Sequence, residues 1–168
     1  MSAMREPLDD FEGVYDANVD RVRGILFRLA QPSDLDDLTQ ETFLKVWKSY
    51  NFFRRHSKSS TWIYRIALNT AYDYLRKKKQ QRAFVEAPQR TEAPRDMADV
   101  LHMRRVALEA LNSLKPELRA LVVLRIYEGF SEEECAKILD LSVGTVKSRL
   151  SRAKTQLAET LEKKGVEL

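Results

Sequence analysis

The stretch from Gly129 to Lys154, GFSEEECAKILDLSVGTVKSRLSRAK, admits little other than a helix, a tight turn and a second helix. Ser131 followed by Glu134 is a capping-box pattern, in which hydroxyl and carboxylate reciprocally satisfy N–H groups that a helix start leaves free. Cys135 and Ile138 carry this helix to Leu139, and Asp140-Leu141-Ser142 lets Ser142 cap a new one. Val143, Val146 and Leu150 share one face of the second helix, and Lys147, Ser148, Arg149, Ser151, Arg152 and Lys154 lie opposite. Between Val143 and Thr155 there are four basic residues and no acidic one. Such a helix fits the major groove, where Arg or Lys reaches guanine O6 and N7 or anchors phosphates. The bland alternative is a solvated basic face on an ordinary surface helix.

The rest of the chain bounds that reading. At 168 residues, 43% hydrophobic and 32% charged, it is a globular balance with room for one ordinary domain or two small ones. No N-terminal targeting pattern and no apolar run near the ~20 residues of a membrane span is present, so the expected location is cytoplasmic. Cys135, the single cysteine, falls inside the first helix of the motif and reads as a small core residue. His56 and His102 have no Cys or acidic neighbours at ligand spacing, so neither metal nor other cofactor is expected. The net charge of +4 hides an alternation: residues 1–50 hold six basic and ten acidic residues, 54–90 ten and two, 91–141 seven and ten, 142–168 six and three. Two basic blocks suggest two polyanion-facing surfaces, with two acidic surfaces left for other contacts.

Helical periodicity predicts a helix from about Leu8 to Leu29, stopped by Pro32, and a second that Ser33 or Asp34 can cap. Leu35, Leu38, Thr42, Phe43, Val46, Trp47 and Tyr50 form the second helix's apolar stripe. Residues 51–60, NFFRRHSKSS, lose periodicity and read as a basic loop. A third helix spans about Thr61 to Lys79, with Ile63, Ile66, Ala67, Thr70, Ala71 and Tyr74 toward a core and Trp62, Arg65, Asn69, Tyr72 and Arg76 on a second face. Aromatics among cations and an amide suit single-stranded nucleic acid, giving π-faces for bases and charge for phosphates. Equally, Trp62 and Tyr72 can simply wall the core while Arg65 is solvated. From Gln80 to about Val100 a polar stretch with Pro88 and Pro94 reads as a linker. Helices follow from about Leu101 to Ser113 and from Pro116 toward Gly129, and charged amphipathic residues from Leu157 to Leu168 close the chain. The expected fold is all-α: two small helical domains, 1–80 and 101–168, joined by a linker at 81–100, each burying its own core.

Two segments carry a family resemblance. Leu35 to Lys77, LDDLTQETFLKVWKSYNFFRRHSKSSTWIYRIALNTAYDYLRK, resembles conserved region 2 of the extracytoplasmic-function sigma factors of bacterial RNA polymerase. Leu111 to Leu157, LNSLKPELRALVVLRIYEGFSEEECAKILDLSVGTVKSRLSRAKTQL, resembles their region 4, a helix-turn-helix. The resemblance implies an alternative sigma factor without catalysis, binding core RNA polymerase and reading promoter −10 and −35 elements. It places Asp37, Leu38, Gln40, Glu41 and Lys45 on the helix that docks on the polymerase clamp. Asn69 falls where the family contacts an unpaired promoter base, with Trp62, Arg65, Tyr72 and Arg76 near the melted strand. The loop carrying Phe53, His56, Ser57 and Lys58 matches the one that accepts a flipped −10 base. Thr145, Lys147, Ser148, Arg149, Ser151, Arg152 and Lys154 match the helix that reads duplex −35 DNA. An anti-sigma factor is the further partner implied. Arg55-His56-Ser57-Lys58 stands where relatives often carry an acidic or glycine residue, so base preference is not inherited, and Ser151 is small where some relatives are bulky. The long regions of primary sigma factors are absent.

Two other classes compete. A free-standing dimeric DNA-binding regulator requires a dimer helix or an α/β receiver, and the N-terminal half shows no strand pattern. An enzyme requires a nucleophile–base constellation, a Gly-rich phosphate loop or a metal cluster, and none is visible.

Overall fold

Helix α1 (Pro7–Ala30) forms because Val22, Ile25, Leu26 and Leu29 recur at helical spacing, and all four are fully buried. The computed structural model describes residues 7–50, 59–82 and 98–166, and among these no strand occurs. Gln31 turns left-handed (φ 42°) ahead of Pro32, which ends α1 where expected. Asp34, not Ser33, then accepts the Asp37 N–H at 2.9 Å and starts α2 (Leu35–Tyr50). Leu38, Thr42, Phe43 and Val46 of α2 are buried, and the Thr42 hydroxyl returns a 2.9 Å bond to the Leu38 carbonyl.

Helix α3 (Ser59–Arg82) begins two residues earlier than the sequence predicts and runs three beyond Lys79. Ser59 and Ser60 thus belong to the helix, while the loop residues 51–58 and linker residues 83–97 lie outside the described residues. Of the predicted core stripe, Ile63, Ala67, Thr70 and Ala71 are buried, whereas Ile66 and Tyr74 are half-buried and Tyr64 and Leu68 are buried instead. The stripe widens because α3 packs against α1 and α2 on one side and against the second half of the chain on another. At the bundle centre the Tyr64 hydroxyl donates to Asn18 Oδ1 at 2.9 Å, and the Asn18 amide donates to the Val14 carbonyl at 2.7 Å, so this buried polar pair is satisfied.

The second half comprises α4 (Ala98–Ser113), α5 (Pro116–Val122), α6 (Glu132–Leu139) and α7 (Val143–Lys163). Pro116 occupies the first turn of α5, as predicted. Helix α5 continues into a wider π-helical turn, Val123–Tyr127, closed by the Glu128 N–H on the Val123 carbonyl at 3.0 Å. Gly129 (φ +72°) then lets the Phe130 N–H reach back to the Leu124 carbonyl at 3.1 Å, a helix stop that a residue with a Cβ resists. Helix α7 takes in most of the C-terminal amphipathic residues, reaching Lys163.

One expectation fails. The two halves do not bury separate cores: a single apolar cluster runs from Val22, Leu26 and Leu29 through Ile63 and Leu68 to Leu121, Leu124, Ile138 and Val146. Short amphipathic helices leave each half with an unsealed apolar side, and docking the two sides together removes it from water. Arg119 is buried at the junction, donating to the Leu29 carbonyl of α1 at 2.8 Å and to the Asn112 and Leu114 carbonyls at 2.8 and 3.0 Å.

Candidate nucleic-acid interface

The turn between α6 and α7 is built as its residues dictate. Ser131 Oγ accepts the Glu134 N–H at 3.1 Å while Glu134 Oε2 accepts the Ser131 N–H at 2.9 Å, completing the capping box. Asp140 sits at φ 56°, the Leu141 N–H reaches the Ala136 carbonyl at 2.9 Å, and Ser142 Oγ accepts the Thr145 N–H at 3.1 Å to open α7. Val146, Leu150 and Ala153 are buried, and that orientation turns the polar face outward. Lys147, Ser148, Ser151, Arg152 and Lys154 are exposed, while Thr145 and Arg149 are half-buried at the edge. Lys147 stands 3.7 Å from Glu132, a loose, exposed pair that leaves its ammonium able to move. Cys135 lies inside α6, where burial pushes its thiol up to about 11, so the group stays a neutral core filler.

The second candidate face, on α3, is less open. Asn69 and Arg76 are exposed, and Arg76 pairs with Asp73. Trp62 and Tyr72 are packed against the core, and burial pushes the Tyr72 hydroxyl up to about 12 beside Glu117, Arg119 and Arg149 of the second half. Arg65 is exposed, yet not free: its Nη2 donates to the Lys137 carbonyl at 2.6 Å and its Nε to the Ile138 carbonyl at 3.2 Å. Those carbonyls belong to the last turn of α6. Phe53, His56, Ser57 and Lys58 lie outside the described residues.

On α2, Asp37 and Gln40 are exposed and Glu41 is half-buried, as a docking face requires. Leu38 is not part of that face, being 5% exposed: one turn of helix puts it with Thr42 and Val46 on the core side. Lys45 leans toward α3, 2.9 Å from Glu41, 3.2 Å from the Thr70 hydroxyl and 3.8 Å from Asp73. The residue missed is Leu44, 57% exposed between Gln40 and Lys48, and Trp47 beside it is 39% exposed although its periodicity reads as core. An edge-on contact with Phe11 (centroids 4.8 Å apart) covers one edge of the indole.

Arg21, Arg28, Arg119 and Glu128 also escaped the sequence reading. The Glu128 side chain is 9% exposed and takes Arg21 at 3.3 Å and Arg28 at 3.2 Å, both from α1. Burial pushes its carboxyl above the ordinary carboxylate value, and the two guanidiniums only partly pull it back. No local pattern flags the contacts that join the halves, because Glu128 lies about a hundred positions from Arg21 and Arg28, and Leu29 ninety from Arg119.

Among the described residues no group of His, Cys, Asp and Glu can hold a metal ion, and no helix is long and apolar enough to cross a membrane.

Comparison with known proteins agrees with this geometry. The family description Sigma-70 region 2 matches residues 14–81, and Sigma-70, region 4 matches residues 104–157. The chain is 32% identical over 155 residues to an ECF RNA polymerase sigma-E factor of Haemophilus influenzae, covering 84% of this chain and 82% of that one. It is 33% identical over 147 residues to the ECF RNA polymerase sigma-E factor of Escherichia coli K12, covering 80% and 77%. Among solved structures, the sigma factor RpoE in complex with the anti-sigma factor NepR from Bartonella quintana superposes with a TM-score of 0.72 at 29% identity, covering 91% of this chain and 97% of that one. CnrH in complex with the cytosolic domain of CnrY gives 0.73 at 26% identity, covering 94% and 91%. With both regions matched in order, an all-helical fold and a capped helix-turn-helix bearing an exposed cationic face, the chain belongs to the extracytoplasmic-function sigma factors, non-enzymatic initiation factors of transcription.

Proposed function

We propose that α7 reads duplex −35 DNA through Thr145, Lys147, Ser148, Arg149, Ser151, Arg152 and Lys154. The observation that carries this is the outward, acid-free cationic face of α7 behind a Ser142 cap. In the same reading, residues 1–80 form the polymerase- and −10-binding module, 81–100 the linker and 101–168 the −35 module. On the first module, Trp62, Arg65, Asn69, Tyr72 and Arg76, with Phe53, His56, Ser57 and Lys58, hold the extruded non-template strand. Binding to stacked bases and phosphates there replaces lost base stacking, which costs a few kcal/mol per opened base. Asp37, Gln40, Glu41 and Lys45, joined by Leu44, dock on a basic helical surface of the core polymerase. Leu44 supports this because an exposed leucine rimmed by acids and amides suits a partner that buries it. Two weakly held elements on one chain reinforce each other, because engaging one raises the effective concentration of the other.

An anti-sigma factor is the regulatory partner in this reading. Support comes from the sigma factor RpoE above, which superposes over nine-tenths of this chain and whose structure is a complex with the anti-sigma factor NepR.

The deciding experiment is the Lys147→Ala, Arg152→Ala double variant in reconstituted holoenzyme. Each lost contact is worth about 1–3 kcal/mol, so promoter affinity falls by at least about tenfold and its salt dependence flattens, while binding to core polymerase is unchanged. Unchanged promoter affinity sinks the assignment of α7.

A further inference from the structure

The starts of α6 and α7 are opposite in charge. The first turn of α6 holds Glu132, Glu133 and Glu134, whereas that of α7 holds no acidic residue. Carboxylates stabilise a helix start, and two of the three are engaged in that way. Glu134 accepts the Ser131 N–H at 2.9 Å, and hydrogen bonds from its own backbone N–H and from Ser131 hold the Glu133 carboxyl below the ordinary carboxylate value.

Glu132 is aimed elsewhere. Its carboxylate crosses the helix-turn-helix to stand 3.7 Å from the ammonium of Lys147, the first cation along α7. The two partners differ in freedom. Glu132 is 31% exposed on the first turn of a capped helix, while the Lys147 side chain is 63% exposed on a flexible four-carbon stem. The acid is therefore fixed and the cation mobile. Lys147 can leave for a phosphate, but its departure leaves Glu132 an unpaired carboxylate facing a polyanion.

That competition bears on one kind of binding above all. Sequence-independent attachment to duplex DNA is almost wholly cation on phosphate, so an acid that competes for one cation lowers it on any sequence. At a promoter the holoenzyme holds a second element as well, and the raised effective concentration offsets the loss.

We propose that Glu132 is a positioning residue that restrains α7: by pairing Lys147 in the free chain it weakens sequence-independent binding to duplex DNA, so that α7 engages firmly only where a second contact holds the same DNA. This rests on the assignment of α7 to duplex DNA above.

The test is binding of the full chain to a random-sequence duplex, followed by fluorescence anisotropy across a salt series, for wild type, Glu132→Gln, Lys147→Ala and the double variant. Glu132→Gln should bind about two- to fivefold more tightly, the range that measured exposed ion pairs span. Its slope of log affinity against log salt should steepen by up to about 0.9, the equivalent of one more phosphate neutralised. Lys147→Ala should weaken binding, and on that background Glu132→Gln should gain little. Glu132→Lys, which reverses the charge, should exceed Glu132→Gln in both readouts. A merely structural Glu132 gives the opposite sign, because removing a carboxylate from the first turn of α6 loosens the motif and lowers affinity.

Affinity and slope that stay level or fall in Glu132→Gln overturn the restraint. An equal gain with and without Lys147 overturns the pairing and assigns the effect to net charge. Failure of the α7 assignment looks different: Lys147→Ala then leaves random-duplex binding unchanged, and the restraint falls with it.

Discussion

The two candidate DNA-reading faces are made differently. The α7 face is local: Ser131, Glu134 and Ser142 cap within three residues, Val146 and Leu150 anchor one side, and the cations are left in solvent on the other. The α3 face is conditional. Arg65, though exposed, is hydrogen-bonded to α6, Tyr72 is half-buried near charges of the second half, and Asn69 and Arg76 are exposed. A face encoded by short-range contacts keeps its character wherever the other half lies, while a face that borrows distant partners changes when they leave.

That contrast can be broken most severely at Arg119. Arg119→Ala strands the Asn112 and Leu114 carbonyls and cuts the bond to Leu29, so stability in a urea titration should drop by about 3 kcal/mol. Part of the loss belongs to the junction, and a double-mutant cycle with Glu128→Arg, which breaks the pairs with Arg21 and Arg28, should show that part missing. Additive losses would mean that Arg119 serves the second half alone.

Smaller effects sharpen the local side. Ser131→Ala and Ser142→Ala should each cost about 1 kcal/mol, and the cost should be the same in wild type and in the Glu128→Arg chain, because caps depend on their own turn. A cap effect that differs between the two chains would refute the claim that α6 and α7 are locally encoded.

The smallest predicted effect is on pH. Glu128's carboxyl is pushed above its ordinary value of 4.5 by burial, against the opposing pull of Arg28 and Arg21, the charged groups that face it. A raised carboxyl favours the docked state fully below 4.5, and that contribution is lost as pH rises through the raised value. Compactness by scattering should thus ease slightly from mildly acidic to neutral pH. Glu128→Gln, which keeps an acceptor for the guanidiniums, should lose this dependence, and an identical slope in both chains would assign it to other carboxylates.

What was readable in the sequence follows the same division. The caps that rest on a side chain three residues from its partner were legible, namely the capping box, Ser142, and Asp34 as one of two candidates, and so was Pro116 opening α5. Leu38 belongs both to the DLTQE run and to the apolar stripe, and it lies on the core side at 5% exposure. Leu44 was missed because an exposed leucine has no periodic signature. Trp47 went the other way, fitting the stripe yet staying 39% exposed at the bundle edge.

The chain by itself determined the helices, their stops, the cationic face of α7 and the family, since each depends on residues within a few turns of one another or on motifs in order. Only the tertiary structure decided that the two halves share one core, that Glu128 meets Arg21 and Arg28 across a hundred residues, and that Arg65 caps α6. Such pairings depend on how two apolar sides seal against each other, and periodicity along one helix carries no record of which distant helix will cover it.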